Sequence, residues 1–500
     1  MSIFPRQRML ATTAGLALLC GPAMADVTAQ DVWANWQAYM EEVGYDLTAT
    51  EEAGNGNLVI KNIELTMDMP EDGGTASVTM GEMAFAENGD GTVSVTLASG
   101  LPLSLAFSDG TEDVAATLEM SHQGLTTVAS GTPEAIVYTY NAENIAWTLL
   151  DLSVDGAQID DLDGKISVDD IAGTSQVSLG ESSFSKDAMT AEQLNIMVKG
   201  VDPESGGIID LTIAMIGLKG KSEGTLPFGS LTGNPSTMFV EGLDLMSGFT
   251  MQSAALAAAF EDEEGPGQIN LTTGAGAIDL EMSDALVSYG GEISDVAATV
   301  MSPDVPLPID VAFGELGYGF TMPLKASEEE QDFGLSLKFN DISLSDFLWN
   351  MFDPGAVLPR DAASLVVGLS GRATVFEDLV TLDENMSEIP GELNAVTIDT
   401  LKLSAAGADI SGTGSFTFDN SDMISFDGFP RPEGAVDLEI NGINGLIDKL
   451  ITMGLLPAEQ AMPARMMLGM FTVPQGEDQL TSRIEVNEQG HVLANGQRLK

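Results

Sequence analysis

Over most of its length the chain alternates apolar with polar residues, the period-two pattern of a strand with one face buried and one wet. The segments NLVIKNIELTMDM (Asn57–Met69), GLSLKFNDISL (334–344), LKLSAAGADISGTGSFTFD (401–419) and SRIEVNEQGHVLANGQ (482–497) carry it most plainly. Asp-Gly, Asn-Gly and Gly-Gly dipeptides punctuate these runs, as in AENGDGTVSVTL (86–97), where alternation resumes directly after the turn. Such dipeptides supply the positive φ that tight hairpins demand. The predicted fold is mainly β, a β-rich α+β chain built on a long, curved antiparallel sheet. That sheet forms either a groove or a flattened sandwich, with a few short amphipathic helices packed at its ends or edges.

Helical spacing replaces alternation at a few points. QDVWANWQAYMEEV (30–43) gathers Val32, Trp33, Trp36, Tyr39, Met40 and Val43 on one side and stops at Gly44. SDFLWNMFDPG (345–355) offers Ser345 or Asp346 as a cap and ends at Asp353-Pro354. In RPEGAVDLEINGINGLIDKLITMGLLP (431–457) a strand over 435–440 gives way to Ile443, Leu446, Ile447, Leu450 and Ile451 at helical spacing, and Gly454 closes the helix. The period changes because the chain leaves the sheet and lays an apolar helical stripe against it. PARMMLGMF (463–471) then places Pro463 at a first-turn position. Met462, Met466, Met467 and Met470 make this second stripe soft, fit either to fill a core or to contact a hydrophobic ligand. With Leu446 and Leu450 they are the candidate ligand-contact residues.

The first residues read as a cleavable export signal. Arg6 and Arg8 precede an apolar run from Met9 to Cys20, and the small Ala23 and Ala25 flank Met24. That run falls short of the roughly 20 residues a spanning helix needs, and no other stretch is longer, so no stable membrane span is expected after cleavage. Bulky Leu18 and Leu19 before Cys20 argue against lipid attachment there. Cleavage would remove the one cysteine, leaving no disulfide in an oxidising compartment, so burial alone must hold the chain. The expected organisation is a signal over 1–25, a β-rich half over 26–255 opening with a helix, and a β-rich half over 256–500. The latter carries helices near 345–353, 442–454 and 463–471.

Nineteen basic residues stand against 76 acidic ones, a formal net charge of −57. Nucleic acid is an unsuitable partner, because binding a polyanion needs clustered Lys and Arg. Anionic membrane surfaces repel such a chain as well. The acidity reads as a heavily solvated surface. IDDLDGKISVDD (159–170) invites comparison with a calcium loop through Asp161, Asp163 and Asp170, but Ile159 stands where the first carboxylate ligand belongs. Two strands joined by an Asp-Gly turn is the preferred reading, and no metal or cofactor is predicted. Two histidines, His122 and His491, lie far apart in sequence, and no nucleophile elbow, Walker loop or dinucleotide fingerprint occurs. An enzyme ranks third behind two non-enzymatic readings.

The segment PLPIDVAFGELGYGFTMPLKASEEEQDFGLSLKFNDISLSDFLWNMFDPGAVLPRD and the C-terminal stretch from GTGSFTFDN to the end resemble an uncharacterised secreted family of alphaproteobacteria, domain-of-unknown-function family 2125. The resemblance spans most of the chain and is strongest over the last two hundred residues. It implies a periplasmic setting in a Gram-negative cell and brings no catalytic residues. The strand-to-helix passage and the final hairpin EVNEQGHVLANGQRL are also similar, as a pattern, to the C-terminal region of AsmA-like envelope proteins. That similarity implies a β-groove associated with lipid transport. Two readings follow: a module binding a lipid or other hydrophobic ligand in a β-sheet groove, or a structural or protein-interaction protein of the envelope with a fully packed core.

N-terminal sequencing of the exported protein is expected to begin at Asp26; an acylated Cys20 would overturn both the cleavage site and the thiol-free mature chain.

Overall fold

The computed structural model describes residues 26–42, 44–69, 74–180, 182–201, 206–227, 239–262, 265–303, 305–381 and 390–500; the signal-like segment 1–25 and Val43 lie outside them. Among the described residues the alternating segments form one antiparallel sheet of 28 strands. Each pass of the chain lies beside the one before and the one after. Ala135–Val154 pairs with Leu162–Ser178, that strand with Ser182–Val201, and that in turn with Ile208–Pro227. Where a long strand meets two short ones, these are halves of one pass: Asp244–Met251 and Ser253–Asp262, separated by Gln252, both run along Ile208–Pro227. The division expected between 255 and 256 falls inside Ser253–Asp262, which is paired on both sides. The meander is open, with Asp46–Gly54 at one edge and the short strands Val492–Ala494 and Gln497–Arg498 at the other.

Helices α1 (Ala29–Glu42), α2 (Asp346–Phe352), α3 (Ile443–Thr452) and α4 (Ala458–Phe471) interrupt or border the meander. None among the described residues is long and apolar enough to cross a membrane. Thr28 and Asp31 start α1 reciprocally: the Thr28 backbone N–H donates to the Asp31 carboxylate at 2.9 Å and the Asp31 N–H to the Thr28 hydroxyl at 3.2 Å. At the other end Gly44, at φ 94°, stops it as its position predicts. Its apolar side builds the main core cluster, in which Val32 and Trp33 meet Leu58, Ile60, Phe85 and Ile136. Trp33 Nε1 donates to Glu51 at 2.7 Å, and its ring lies 6.1 Å from that of Phe85.

The passage from strand Arg431–Asn441 into α3 turns on Gly442, at φ 71°, where a Cβ would sit 2.1 Å from the Gly407 carbonyl oxygen. Asp478 supplies the cap from across the sheet, accepting from the Asn444 N–H at 3.0 Å and the Gly445 N–H at 2.9 Å. Burial pushes its carboxyl up, but these donors outweigh burial and hold it below the usual range. Gly454, at φ 75°, follows α3 as expected. Asp353, after α2, works similarly: it is buried, and accepts from the Val357 and Leu358 N–H groups to close the next loop.

Two local expectations need correction. Pro463 does not open its helix but lies inside α4, which begins at Ala458 directly after the extended Pro457 (ψ 135°). Asp163-Gly164 is not a turn; both residues lie in Leu162–Ser178, and the hairpin bends instead at Asp155 and Gly156, each with positive φ. Gly164 is accommodated against Leu149 of the neighbouring strand, where a Cβ would come within 3.2 Å of the Leu149 side chain. His122, in the strand Asp113–Gln123, makes a 3.0 Å hydrogen bond from Nε2 to the Leu97 carbonyl, the role of a structural histidine.

Gly442→Ala is expected to cost more than Gly454→Ala: both force a side chain to positive φ, roughly 1–3 kcal/mol, and only Gly442 adds a backbone collision. Urea denaturation followed by circular dichroism checks this; equal small losses would mean that the strand-to-helix joint relaxes freely.

Candidate functional site

Side chains directly opposite one another in an antiparallel ladder share a face of the sheet. From the registers, Leu280, Tyr289, Phe320, Leu335, Leu369 and Ile398 form one row across six successive strands. Two residues along, Ile278, Gly291, Tyr318, Leu337, Val367 and Leu401 form a parallel row on the same face. The ring centroids of Tyr289 and Tyr318 are 5.3 Å apart, tying the rows together. Between them on the opposite face runs Asp279, Gly290, Gly319, Ser336 and Gly368. Over these six strands the sheet thus has one mainly apolar and one mainly polar face.

Nothing in the described structure buries the middle of the apolar face. Tyr289 and Phe320 are each 41% exposed and Leu335 is 50% exposed, values that a second sheet layer would abolish. A single layer accounts for that exposure, and the flattened sandwich does not.

The large clefts lie over the glycine-rich row of the polar face. One of about 850 Å³ is lined by Lys221, Asp279, Glu281 and Ser288 with Gly290, Gly319 and Gly368, and Met246, Leu280, Tyr289, Phe320, Leu335 and Leu369 border it too, so its surface is largely apolar. The next, of about 910 Å³, includes the paired charges Asp437 and Arg483, which are 2.6 Å apart. Glycine and serine leave depressions where a row lacks side chains, while aromatic and branched residues fill the apolar face out. A smaller pocket, about 290 Å³, lies on the apolar face beneath α1, between Asn35, Trp36 and Tyr39 of the helix and Tyr138, Tyr140 and Asp187 of the sheet. The Tyr138 hydroxyl donates to Asn35 Oδ1 at 3.0 Å. Burial raises the Tyr138 phenol well above its ordinary range, and burial followed by the nearby Asp187 charge raises Tyr140.

The candidate contact residues divide between the two C-terminal helices. Leu446 and Leu450 of α3 are half-buried. On α4, Met462 (70% exposed), Met466, Met467 and Met470 (58%) all face solvent, so they fill no core within this chain. A methionine stripe at helical spacing reads the same in sequence whether it packs inward or not. The pocket residues Asn35, Tyr138 and Asp187 escaped sequence reasoning, and the distance between them along the chain explains why.

Asp163 and Asp170 lie in one strand, seven residues or about 23 Å apart at ~3.3 Å per residue, too far to share a cation. Among the described residues, no group of three or more His, Cys, Asp or Glu could hold a metal ion.

Residues 291–494 match the DUF2125 family model, described as an uncharacterized protein conserved in bacteria. The match covers the C-terminal part of the sheet with α2, α3 and α4, and not α1 or its pocket. No curated protein and no solved structure matches the chain.

Met466→Glu and Met470→Glu are expected to change stability by no more than about 0.5 kcal/mol, since both side chains already face water, whereas Phe85→Ala should cost roughly 3–5 kcal/mol. A thermal melt of each variant tests this, and a large loss at either methionine would mean that α4 packs against something in solution.

Proposed function

We infer that this is a non-enzymatic protein of the bacterial cell envelope that holds a lipid or other hydrophobic ligand against the apolar face of its sheet. The row Leu280, Tyr289, Phe320, Leu335, Leu369 and Ile398 carries the reading: it is apolar throughout, exposed at Tyr289, Phe320 and Leu335 in its middle and half-buried at Leu280, Leu369 and Ile398. Apolar area left in water forgoes roughly 25 cal/mol per Å², and a ligand bringing its own apolar surface recovers that without rearranging the chain. Five strand spacings of ~4.8 Å make the row about 24 Å long. One leaflet of a bilayer's ~30 Å hydrocarbon core gives an acyl chain roughly 15 Å, so a whole chain fits along it.

A periplasmic location follows from the export-signal pattern of residues 1–25 and agrees with the bacterial family; the resemblance to AsmA-like envelope proteins points the same way. The exposed methionines of α4, with Leu446 and Leu450 of α3 beside them in sequence, serve in this reading as an adaptable apolar surface for the same ligand class. The alternative, a structural or protein-interaction protein with a fully packed core, fits less well, because Phe320 and Leu335 are exposed rather than packed.

Protein purified without detergent from its own periplasm should carry stoichiometric lipid by native mass spectrometry and extraction. Leu335→Glu should keep the circular dichroism spectrum and lose that lipid, because a bound acyl chain would strip water from the new charge. Clean apo protein, or an unchanged lipid load in folded Leu335→Glu, would overturn the reading.

A further inference from the structure

The face that carries the apolar rows changes character toward α1. Continued past Leu280, the row reads Ser247, Ser222, Asp187, Ser175 and then Tyr138, whose hydroxyl meets Asn35 under the helix. A polar step therefore separates the packed core from the open apolar expanse, and the 290 Å³ pocket sits at that step. The neighbouring row stays apolar: Ile278 is followed by Phe249, Gly220 and Met189. Within the pocket, Asn35 is only 5% exposed; its Oδ1 is used by Tyr138, but its Nδ2 has no hydrogen-bond partner. A buried amide donor without an acceptor is costly enough that native structures seldom retain one unless something occupies the site.

We propose that this pocket seats the uncharged polar head of a single-chain amphiphile, with an ester or hydroxyl oxygen accepting from Asn35 Nδ2 and the acyl chain leaving along Met189, Phe249 and Ile278. The assignment rests on the acyl-binding reading of the apolar face and adds the head class and the direction in which the chain lies. The size is right for a head and too small for a whole lipid, ligand pockets for complete molecules running from roughly 300 Å³ upward. Charge selects the head. Asp187 is the charged side chain lining the pocket, held by the Ser222 hydroxyl at 3.1 Å. The adjacent Lys186 alternates to the polar face, where it pairs with Glu223 at 2.6 Å. A carboxylate or phosphate head would meet Asp187 with no Lys or Arg among the residues lining the pocket to offset it, whereas a glyceride-like head meets a donor and hydroxyls.

Delipidated full-length protein titrated with monooleoylglycerol and, separately, with oleate tests this, both below their aggregation concentrations at pH 7. Trp36 lines the pocket, so its fluorescence reports the head; Trp36→Phe identifies its contribution. Native mass spectrometry reports acyl binding independently. Monooleoylglycerol should shift Trp36 emission and bind at least about tenfold more tightly than oleate, Asn35→Ala should weaken it about tenfold, and Asp187→Asn should bring oleate close to the glyceride. If Asn35→Ala does not fold, Asp187→Asn decides alone. Acyl binding that leaves Trp36 emission unchanged, ignores Asn35→Ala or favours oleate would overturn the head pocket while the apolar-face reading stands. If neither amphiphile binds at all, both fail.

Discussion

The constraint on which everything else depends is that a meander gives each pass of the chain only the passes before and after it as partners. A sandwich buries its inner faces against a second sheet; a single layer cannot, so its stability must come from backbone ladders and from pairs across adjacent strands. The chain's scarce cations are spent accordingly. Lys186 faces Glu223, Lys199 faces Asp210 and Arg483 faces Asp437, each directly opposite in register and within salt-bridge distance. Such exposed pairs contribute little one at a time. Their placement on the polar face still matters, because it keeps these paired charges off the face that carries the apolar rows.

A ladder this long must also keep that face continuous through its irregularities. In Leu286–Ser302 the apolar positions run Val287, Tyr289 and Ile293, then Val296, Ala298 and Val300, changing from odd to even numbers across Asp295. Asp295 has φ 49°, and the pairing on either side of it, Ser294 with Glu315 and Val296 with Phe313, keeps its register. Both strands therefore take an extra residue at the same level, a bulge that resets the alternation without breaking the sheet. Asp170 and Asp341 adopt the same left-handed conformation within or beside their strands. α1 solves the remaining problem at one end, packing on the apolar face and burying a core cluster there.

How much of this the sequence discloses follows from how local each feature is. The strand Asn57–Met69 and the helix α1 are legible almost residue for residue, because alternation and the apolar stripe are properties of a dozen neighbours. The strand-to-helix joint at Gly442 is legible for the same reason, though not the cap from Asp478, which comes from 34 residues away. Asp163-Gly164 misleads because an Asp-Gly pair serves equally in a turn and in a strand beside a large neighbour such as Leu149. The methionines of α4 cannot be assigned inward or outward by spacing, which is identical for a core stripe and a bare one. Asn35 and Tyr138 meet across 103 residues, and only the register of the intervening strands brings them together.

The extreme charge acquires a physical role in this architecture. A sheet with a bare apolar face is prone to pair with a second copy, face on face, and each open edge offers a further route to association. Seventy-six acidic residues against 19 basic ones set every copy against every other. That repulsion acts over roughly 8 Å at physiological ionic strength, enough to resist close approach of two charged surfaces. It does not act on an uncharged amphiphile. The same surplus that would oppose the approach of two such faces would not oppose a neutral amphiphile, and would disfavour anionic ones. Acidity and the uncovered face are two halves of one arrangement: without the charge the face would be a liability, and without the face so much charge would serve no evident structural end.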